Sequence, residues 1–440
     1  MKGNARSEKS TYLCQQCGYR SSKWMGFCPQ CRSPEALAQT TTVSHTASID
    51  DISVVPATAR HTTVRDRNPT GLVEIDRVLG GGIVPGAAIL VGGEPGIGKS
   101  TLLLQVADRI ASTVGPVLVA TAEESAHQVQ MRARRIGITS DEVLIAPVHD
   151  VDAIVSLAEQ RQPAAVVVDS IQTVSTVEAS GSAGGVAQVR DSAARLISFA
   201  KTSGTPVILV GHVTKDGSIA GPRTLEHMVD VVLYLEGESD VGLRFLRSIK
   251  NRYGSANEVG VFEMTAEGLA EVSDPSGLLV AQRVETSPGS ALFPAIEGKR
   301  PMVVEIQALV VDTGASVPRR SVNGLPPARV HQVLGVLSRH AGLPLATKEV
   351  YVSVMGGIKI TEPAVDLPVA LAVASAVNGV PLRRIAAWGE LGLTGDIRPV
   401  SRPAVRKREI ERISAGPIIS PEAGHRDLAK AIAEAGLTRR

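Results

Sequence analysis

The chain has 440 residues, with 46 Lys and Arg against 44 Asp and Glu, a formal charge of +2. That length serves two or three domains with real cores, and the near-balanced charge excludes bulk electrostatics as a case for nucleic acid, so any such surface must be local. Aromatics make up 3% of the chain, which argues against an extended platform of base-stacking rings.

No run of about 18 apolar residues occurs, so no transmembrane helix is expected. The polar opening MKGNARSEKSTYLC has no apolar segment of the kind a secretory signal needs. The expectation is a cytoplasmic protein with no membrane partner.

In chain order, residues 11–32 come first, with all four cysteines and four of the twelve aromatics. Cys14 and Cys17, then Cys28 and Cys31, form two C-x-x-C pairs ten residues apart. Each pair can chelate one face of a tetrahedral ion, and four thiolates make a closed, structural zinc site with no open position for catalysis. A disulfide framework is the alternative, and a cytoplasmic location argues against it. Residues 33–60, rich in Thr, Ser and Ala and without periodicity, read as a linker.

From 61 to 270, short apolar runs alternate with amphipathic stretches. GAAILVGG, PVLVATAEE, AAVVVDS, TPVILVGHV and DVVLYLEG are near-continuous and β-branched, as strands covered on both faces are. STLLLQVADRIAS follows the first as a helix. The expected fold is α/β with a parallel sheet, whose ligands bind at the carboxyl ends of the strands.

The stretch Gly93-Glu94-Pro95-Gly96-Ile97-Gly98-Lys99-Ser100-Thr101 fits the Walker A phosphate loop throughout. Glycines let backbone N–H groups approach phosphate oxygens, Lys99 supplies a cation to the β- and γ-phosphates, and Ser100 Oγ can ligand Mg²⁺. The helix that follows points its N-terminus at the phosphates. Asp169, ending AAVVVD, is placed for the Walker B role of holding Mg²⁺. Glu123 and Glu124 end the run PVLVATAEE; Glu123 is the first choice to activate the attacking water, and the other acidic group suits a helix N-terminus.

The cysteine pairs, GEPGIGKST, DSIQT, GHVTKDGSIAGPRTLEHMVD and KNRYG together resemble the bacterial RadA (Sms) family of DNA repair proteins, over nearly the whole chain from about residue 10. The resemblance implies a zinc ribbon, a RecA-like ATPase domain and a Lon-protease-like α/β domain in that order, assembled as a homo-hexameric, ATP-driven motor. It implies branch migration on single-stranded and branched DNA, a nucleoid-associated location, and recombinase and replicative-helicase proteins as partners. The family's usual KNRFG reads Lys250-Asn251-Arg252-Tyr253-Gly254 here, keeping the ring and adding a hydroxyl. By this resemblance Lys250 and Arg252 reach a neighbouring subunit's nucleotide as arginine-finger groups do, and contact DNA. His212 takes the place of a γ-phosphate sensor. Lys215 and Arg223 sit in one DNA loop, and the Gly/Ser-rich stretch after Asp169 is the other.

Residues 271–440 form the third expected domain. VYVSVMGGIKITEPAVDLPVALAVASA and GELGLTGDIRPV resemble the Lon protease fold, whose nucleophilic serine is activated by a lysine. Ala364 stands in the serine's place and Ala404 in the lysine's, so no peptidase activity is expected, and an ATP-dependent protease is the weaker reading. A non-motor ATP switch acting on protein partners is a second rival. Arg383, Arg384, Arg398, Arg402, Arg406, Lys407 and Arg408 read as a DNA-facing patch, against a solvated helix face.

Overall fold

The computed structural model describes residues 11–14, 20–21, 23–29, 31–32, 34, 37–40, 67–177, 183–211, 224–237, 242–281 and 283–437. Two compact units emerge, Met1–Val64 and Arg65–Arg440. The first carries three antiparallel strands, β1 (Thr11–Cys14), β2 (Arg20–Ser21) and β3 (Leu37–Thr40), in the order β2-β1-β3. Strand β3 falls in the stretch expected to be linker. A short edge strand needs little beyond backbone groups to pair, and its polar composition does not announce it.

The second unit opens with α1 (Val73–Leu79), β4 (Ala88–Gly93), α2 (Lys99–Thr113), β5 (Val117–Thr121) and α3 (Ala126–Arg135). Next come β6 (Val143–Pro147), α4 (Val151–Arg161), β7 (Ala165–Asp169), α5 (Val186–Ser203), β8 (Val207–Val210), α6 (Thr224–Met228) and β9 (Val231–Glu236). The chain then turns back through β10 (Leu243–Asn251), β11 (Val259–Thr265) and β12 (Gly268–Glu271). These nine strands form one sheet in the order β12-β11-β10-β9-β4-β8-β7-β5-β6. The six strands from β9 to β6 are parallel and the other three antiparallel. Strands β4, β5 and β8 are buried along their whole length, because helices cover both faces of a parallel sheet. This is a RecA-like P-loop ATPase core.

Residues beyond the sheet build a second α/β layer. Its elements are α7 (Pro275–Ala281), β13 (Ser290–Glu297), β14 (Arg300–Asp312), β15 (Arg320–Asn323), α8 (Pro327–His340), β16 (Lys348–Val354) and α9 (Asp366–Asn378). The short strands β17 (Ala386–Ala387), β18 (Glu390–Leu391) and β19 (Ile397–Arg398), then α10 (Pro403–Arg412), β20 (Ile418–Ile419) and α11 (Leu428–Glu434), complete it. Six strands pair in the order β15-β16-β14-β13-β17-β20. Helix α9 is apolar around nearly its whole circumference and buried from Asp366 to Ser375, as a helix without a polar face must be.

The two sheets share one core. Leu243 and Phe245 of β10 and Val259 and Val261 of β11 belong to the same apolar cluster as Phe293, Val303 and Leu371. At this junction Arg300, 7% exposed, pairs with Glu74 of α1, 1% exposed. The Arg300 guanidinium also donates to the carbonyls of Val259 (3.4 Å), Val272 (3.1 Å) and Ser273 (3.2 Å), while Glu74 Oε2 accepts the Val261 N–H at 2.9 Å.

One residue of the expected basic patch is placed otherwise. Arg406 has no exposed side-chain surface; it pairs with Glu362 and donates to the Pro294 carbonyl at 2.6 Å. Its position on α10 turns it into the core, where its neighbours Lys407 and Arg408 are exposed. Spacing along the sequence mixes the two helix faces. Arg384 pairs with Glu285, Arg398 with Asp396, and Arg402 donates to the Gly298 carbonyl.

Removing one partner of a buried ion pair leaves the other charge uncompensated. Arg300→Ala is therefore expected to destabilise the chain by about 3–5 kcal/mol, and Arg300→Met with Glu74→Gln to regain much of that loss. Urea unfolding midpoints of the single and double variants decide this; additive losses would show that the pair is not the joint.

Candidate active site

The P-loop leaves the carboxyl end of β4. Gly93 ends that strand, Glu94, Pro95 and Gly96 are exposed, and Ile97 is buried beneath them. Gly98 precedes α2 with φ of +113°, and a Cβ there would lie 2.8 Å from Met264 Cε. Only glycine meets both the left-handed backbone and the tight space. Helix α2 has no side-chain cap, so its first N–H groups are directed at the loop, where an anion would take them up. Ser100 and Thr101 lie in its first turn.

Lys99 is 4% exposed, and its Nζ donates to the carbonyls of Gly93 and Glu94, each at 2.9 Å. Burial pushes its pKa down, against the opposing pull of Asp169 and Glu123. The two carboxylates and the ammonium are thereby brought to one place. Asp169 ends β7, and Glu123 stands two residues past β5. Strands β5 and β7 are adjacent and in register, Thr121 opposite Asp169.

The neighbouring glutamates are separated by their partners. Glu124 is taken up by Arg132 of α3, and its backbone is held by Thr121 Oγ1. Helix α3 starts after Ser125 in a reciprocal capping box with Gln128, so it has no need of either glutamate as a cap. Glu123 instead accepts a hydrogen bond from Ser170 Oγ. Ser170 is fully buried, follows a cis peptide bond with Asp169, and its carbonyl accepts from Thr173 Oγ1 at 2.9 Å. Sequence reasoning passed over Ser170 and Arg132. The signal for Ser170 was its place directly after the Walker B carboxylate; Arg132, eight positions from Glu124, gave none.

Lys250 and Arg252 lie at the opposite rim of the sheet, by the amino ends of the parallel strands. Strand β10 runs antiparallel to β9, so Asn251 pairs with Val231, and Val231 with Ile89 of β4. Ile89 is four residues, roughly 13 Å, from Gly93. Lys250 Nζ donates to the carbonyls of Glu226 (2.7 Å), His227 (3.2 Å) and Val229 (2.8 Å), closing the end of α6. The Arg252 side chain is 56% exposed, 3.5 Å from Asp230. Tyr253 hydroxyl accepts from Lys201 Nζ at 3.0 Å, and Lys201 also pairs with Asp230. His212, Lys215 and Arg223 lie outside the described residues, in the segment between Gly211 and Thr224 that leaves the carboxyl end of β8. In the second layer, Ala364 is buried and Ala404 exposed.

In the first unit, the Arg32 N–H donates to the Cys28 carbonyl at 2.8 Å, with Arg32 at φ of +60°. This tight turn sets Cys28, buried, and Cys31, exposed, three positions apart around one bend, which suits two thiolate ligands of a tetrahedral zinc ion. Cys14 closes β1; its side chain and Cys17 lie outside the described residues.

The AAA domain family matches residues 56–218, and the rubredoxin metal binding domain family matches residues 12–38. Both matches fit the sequence: a phosphate loop for ATP and two C-x-x-C pairs for Zn²⁺. Among solved structures, the RadB recombinase is similar over 46% of this chain and 99% of that one, at 23% identity and a TM-score of 0.38. The DNA repair protein RadA of Bacillus subtilis is 43% identical over 425 residues, 94% of this chain and 93% of that protein. That of Pseudomonas aeruginosa is 45% identical over 409 residues, 91% of this chain and 90% of that protein. At that identity and coverage, with the zinc ribbon, the RecA-like core and the second α/β layer in one chain, the protein belongs to the bacterial RadA family of DNA repair proteins.

Proposed function

We propose that this chain is a DNA-dependent ATPase that binds single-stranded DNA and promotes branch migration of recombination intermediates in homologous recombination and repair. The observation that carries it is the division of the sheet into two functional rims. One rim gathers Lys99, Asp169 and Glu123 around the P-loop. The other holds Arg252, half exposed and out of reach of its own P-loop. A cation so placed serves a second copy's nucleotide, which supports a ring, six-membered by family resemblance, whose sites are completed by neighbours.

Within one site, the P-loop N–H groups and Lys99 bind the triphosphate. Ser100 and Asp169 would hold Mg²⁺, which neutralises charge on the phosphates. Glu123, positioned by Ser170, orients the attacking water and receives its proton. Arg252 of the adjacent copy stabilises the charge that develops on the transferred group. Lys250 anchors the motif to the end of α6, the helix that follows the 212–223 stretch assigned to DNA in the sequence. That connection suits a motor whose DNA loops answer to the nucleotide. The Lon-like layer, with alanines at 364 and 404, serves as scaffold and DNA surface rather than as a peptidase.

Lys99→Ala is expected to abolish ATP turnover with and without single-stranded DNA, whereas the parent chain is stimulated by it. Turnover indifferent to DNA would leave an ATP switch and no motor. Glu123→Gln should retain ATP affinity and lower kcat by about 10²- to 10³-fold; unchanged kcat would remove Glu123 from the role. Mixing Lys99→Ala with Arg252→Ala chains, each inactive alone, should restore turnover at about a quarter of the sites for random assembly. No recovery in the mixture would mean that the site is not shared between copies.

A further inference from the structure

Two aromatic rings of the first unit stand in solvent. Trp24 is 59% exposed and Phe27 58% exposed, and among the described residues no other aromatic residue is exposed. We infer that this pair is a stacking platform for the bases of single-stranded nucleic acid, with Lys23 and Arg32 beside it for the phosphates. The inference rests on the DNA reading above and adds a contact in the first unit to it.

The local backbone holds both rings out. Ser21 Oγ donates to the Lys23 carbonyl at 2.6 Å and accepts the Lys23 N–H at 3.1 Å, closing a tight turn directly before Trp24. The indole then lies against Gly26, where a Cβ would be 3.9 Å from Trp24 Cη2, an ordinary contact distance. The ring therefore rests on bare backbone. Phe27 forms an antiparallel bridge with Pro34. The next residue, Cys28, is buried, and its carbonyl accepts the Arg32 N–H at 2.8 Å. Short turns thus fix the two ring-bearing positions while their side chains stay uncovered.

The surrounding charge favours nucleic acid over a protein surface. Residues 11–34 contain Arg20, Lys23 and Arg32 and no Asp or Glu, although the whole chain is nearly balanced. Lys23 and Arg32 are exposed. Proteins hold single strands by stacking bases on rings while cations follow the backbone phosphates. The core of a protein-binding patch is instead depleted of lysine, and here Lys23 directly precedes the indole. Two rings accept one or two bases. The scarcity of aromatics that excludes an extended platform therefore leaves room for this small one. Stacking reads no base edge, so the contact tolerates any sequence.

The chain has two tryptophans, and Trp388 is only 2% exposed, so quenching of tryptophan emission by an added strand reports on Trp24. Single-stranded oligothymidylate, titrated into the zinc-loaded full chain without nucleotide, is expected to quench the parent and not Trp24→Leu. An abasic strand of the same length, which keeps the phosphates, should leave the parent emission unchanged. Anisotropy of a labelled oligothymidylate should show affinity about tenfold lower in Trp24→Leu and within about threefold of the parent in Trp24→Tyr. Zinc content and ATP turnover without DNA should be unaltered in both; if Trp24→Leu fails to hold zinc, Phe27→Leu supplies the same comparison of affinities. Binding of the labelled strand without quenching, or with equal affinity in Trp24→Leu, overturns the platform, leaves the rings to a protein partner and leaves the ATPase reading standing. Quenching that the abasic strand reproduces overturns stacking in favour of charge alone. No binding of the labelled strand by the parent overturns both this inference and the DNA part of the reading above.

Discussion

The Arg300 guanidinium is the joint on which the arrangement of the second unit depends. It reaches across from the first residue of β14 to the Glu74 carboxylate on α1, and to carbonyls at the ends of β11 and β12. Its five N–H donors in a planar fork can satisfy a carboxylate and several carbonyls at once, which a lysine cannot. Burying such a pair gains little net stability, but breaking it is expensive. The outcome is a fixed register between two sheets rather than a hinge. The shared apolar cluster around Phe245 and Phe293 reinforces it.

That fixed register gives the P-loop its surroundings. The glycine backbone and buried Lys99 are set by β4 and α2, as in any phosphate loop. The carboxylates are set by β5 and β7, whose parallel pairing brings Glu123 and Asp169 to the same rim. The Gly357–Lys359 turn, which lines a cavity beside the P-loop, is set by the second layer. Three separately determined pieces meet at one loop, and none of the contacts between them is local in sequence.

The far rim of the sheet is organised with equal economy. Lys250 closes the carbonyl end of α6, Asn251 caps the end of α1 through the Leu79 carbonyl, and Tyr253 joins Lys201 and Asp230 in one network. The tyrosine hydroxyl, absent from the family's usual phenylalanine, thus has a partner. Arg252 is left as the half-exposed cation of the motif. A basic stretch read along the sequence as one unit is divided by the fold into anchors and one outward group.

The sequence by itself determined the phosphate loop, the carboxylate that ends β7, the cysteine pairs and the parallel strands on either side of them. These signals are short-range: glycines where backbone must approach phosphate, apolar runs where a strand is covered on both faces. The edge strands β3 (LAQT) and β12 (GLAE) were not legible because they are short and half polar, and the apolar runs of β6 (VLIAP) and β11 (VGVFEMT) are too short for periodicity to tell strand from helix. Glu123 was preferred to Glu124 from the sequence, but the partners that separate the two, Arg132 of the following helix and Ser170 just past β7, were brought in only by the fold. Arg406 reads as surface along the sequence and is buried in the fold, because helix phase, not charge, decides which side meets solvent. The meeting of the second layer with the P-loop was decided wholly by tertiary structure: Arg300 and Glu74 are 226 positions apart, and no periodicity or spacing along a chain encodes a contact made only when two finished sheets pack together.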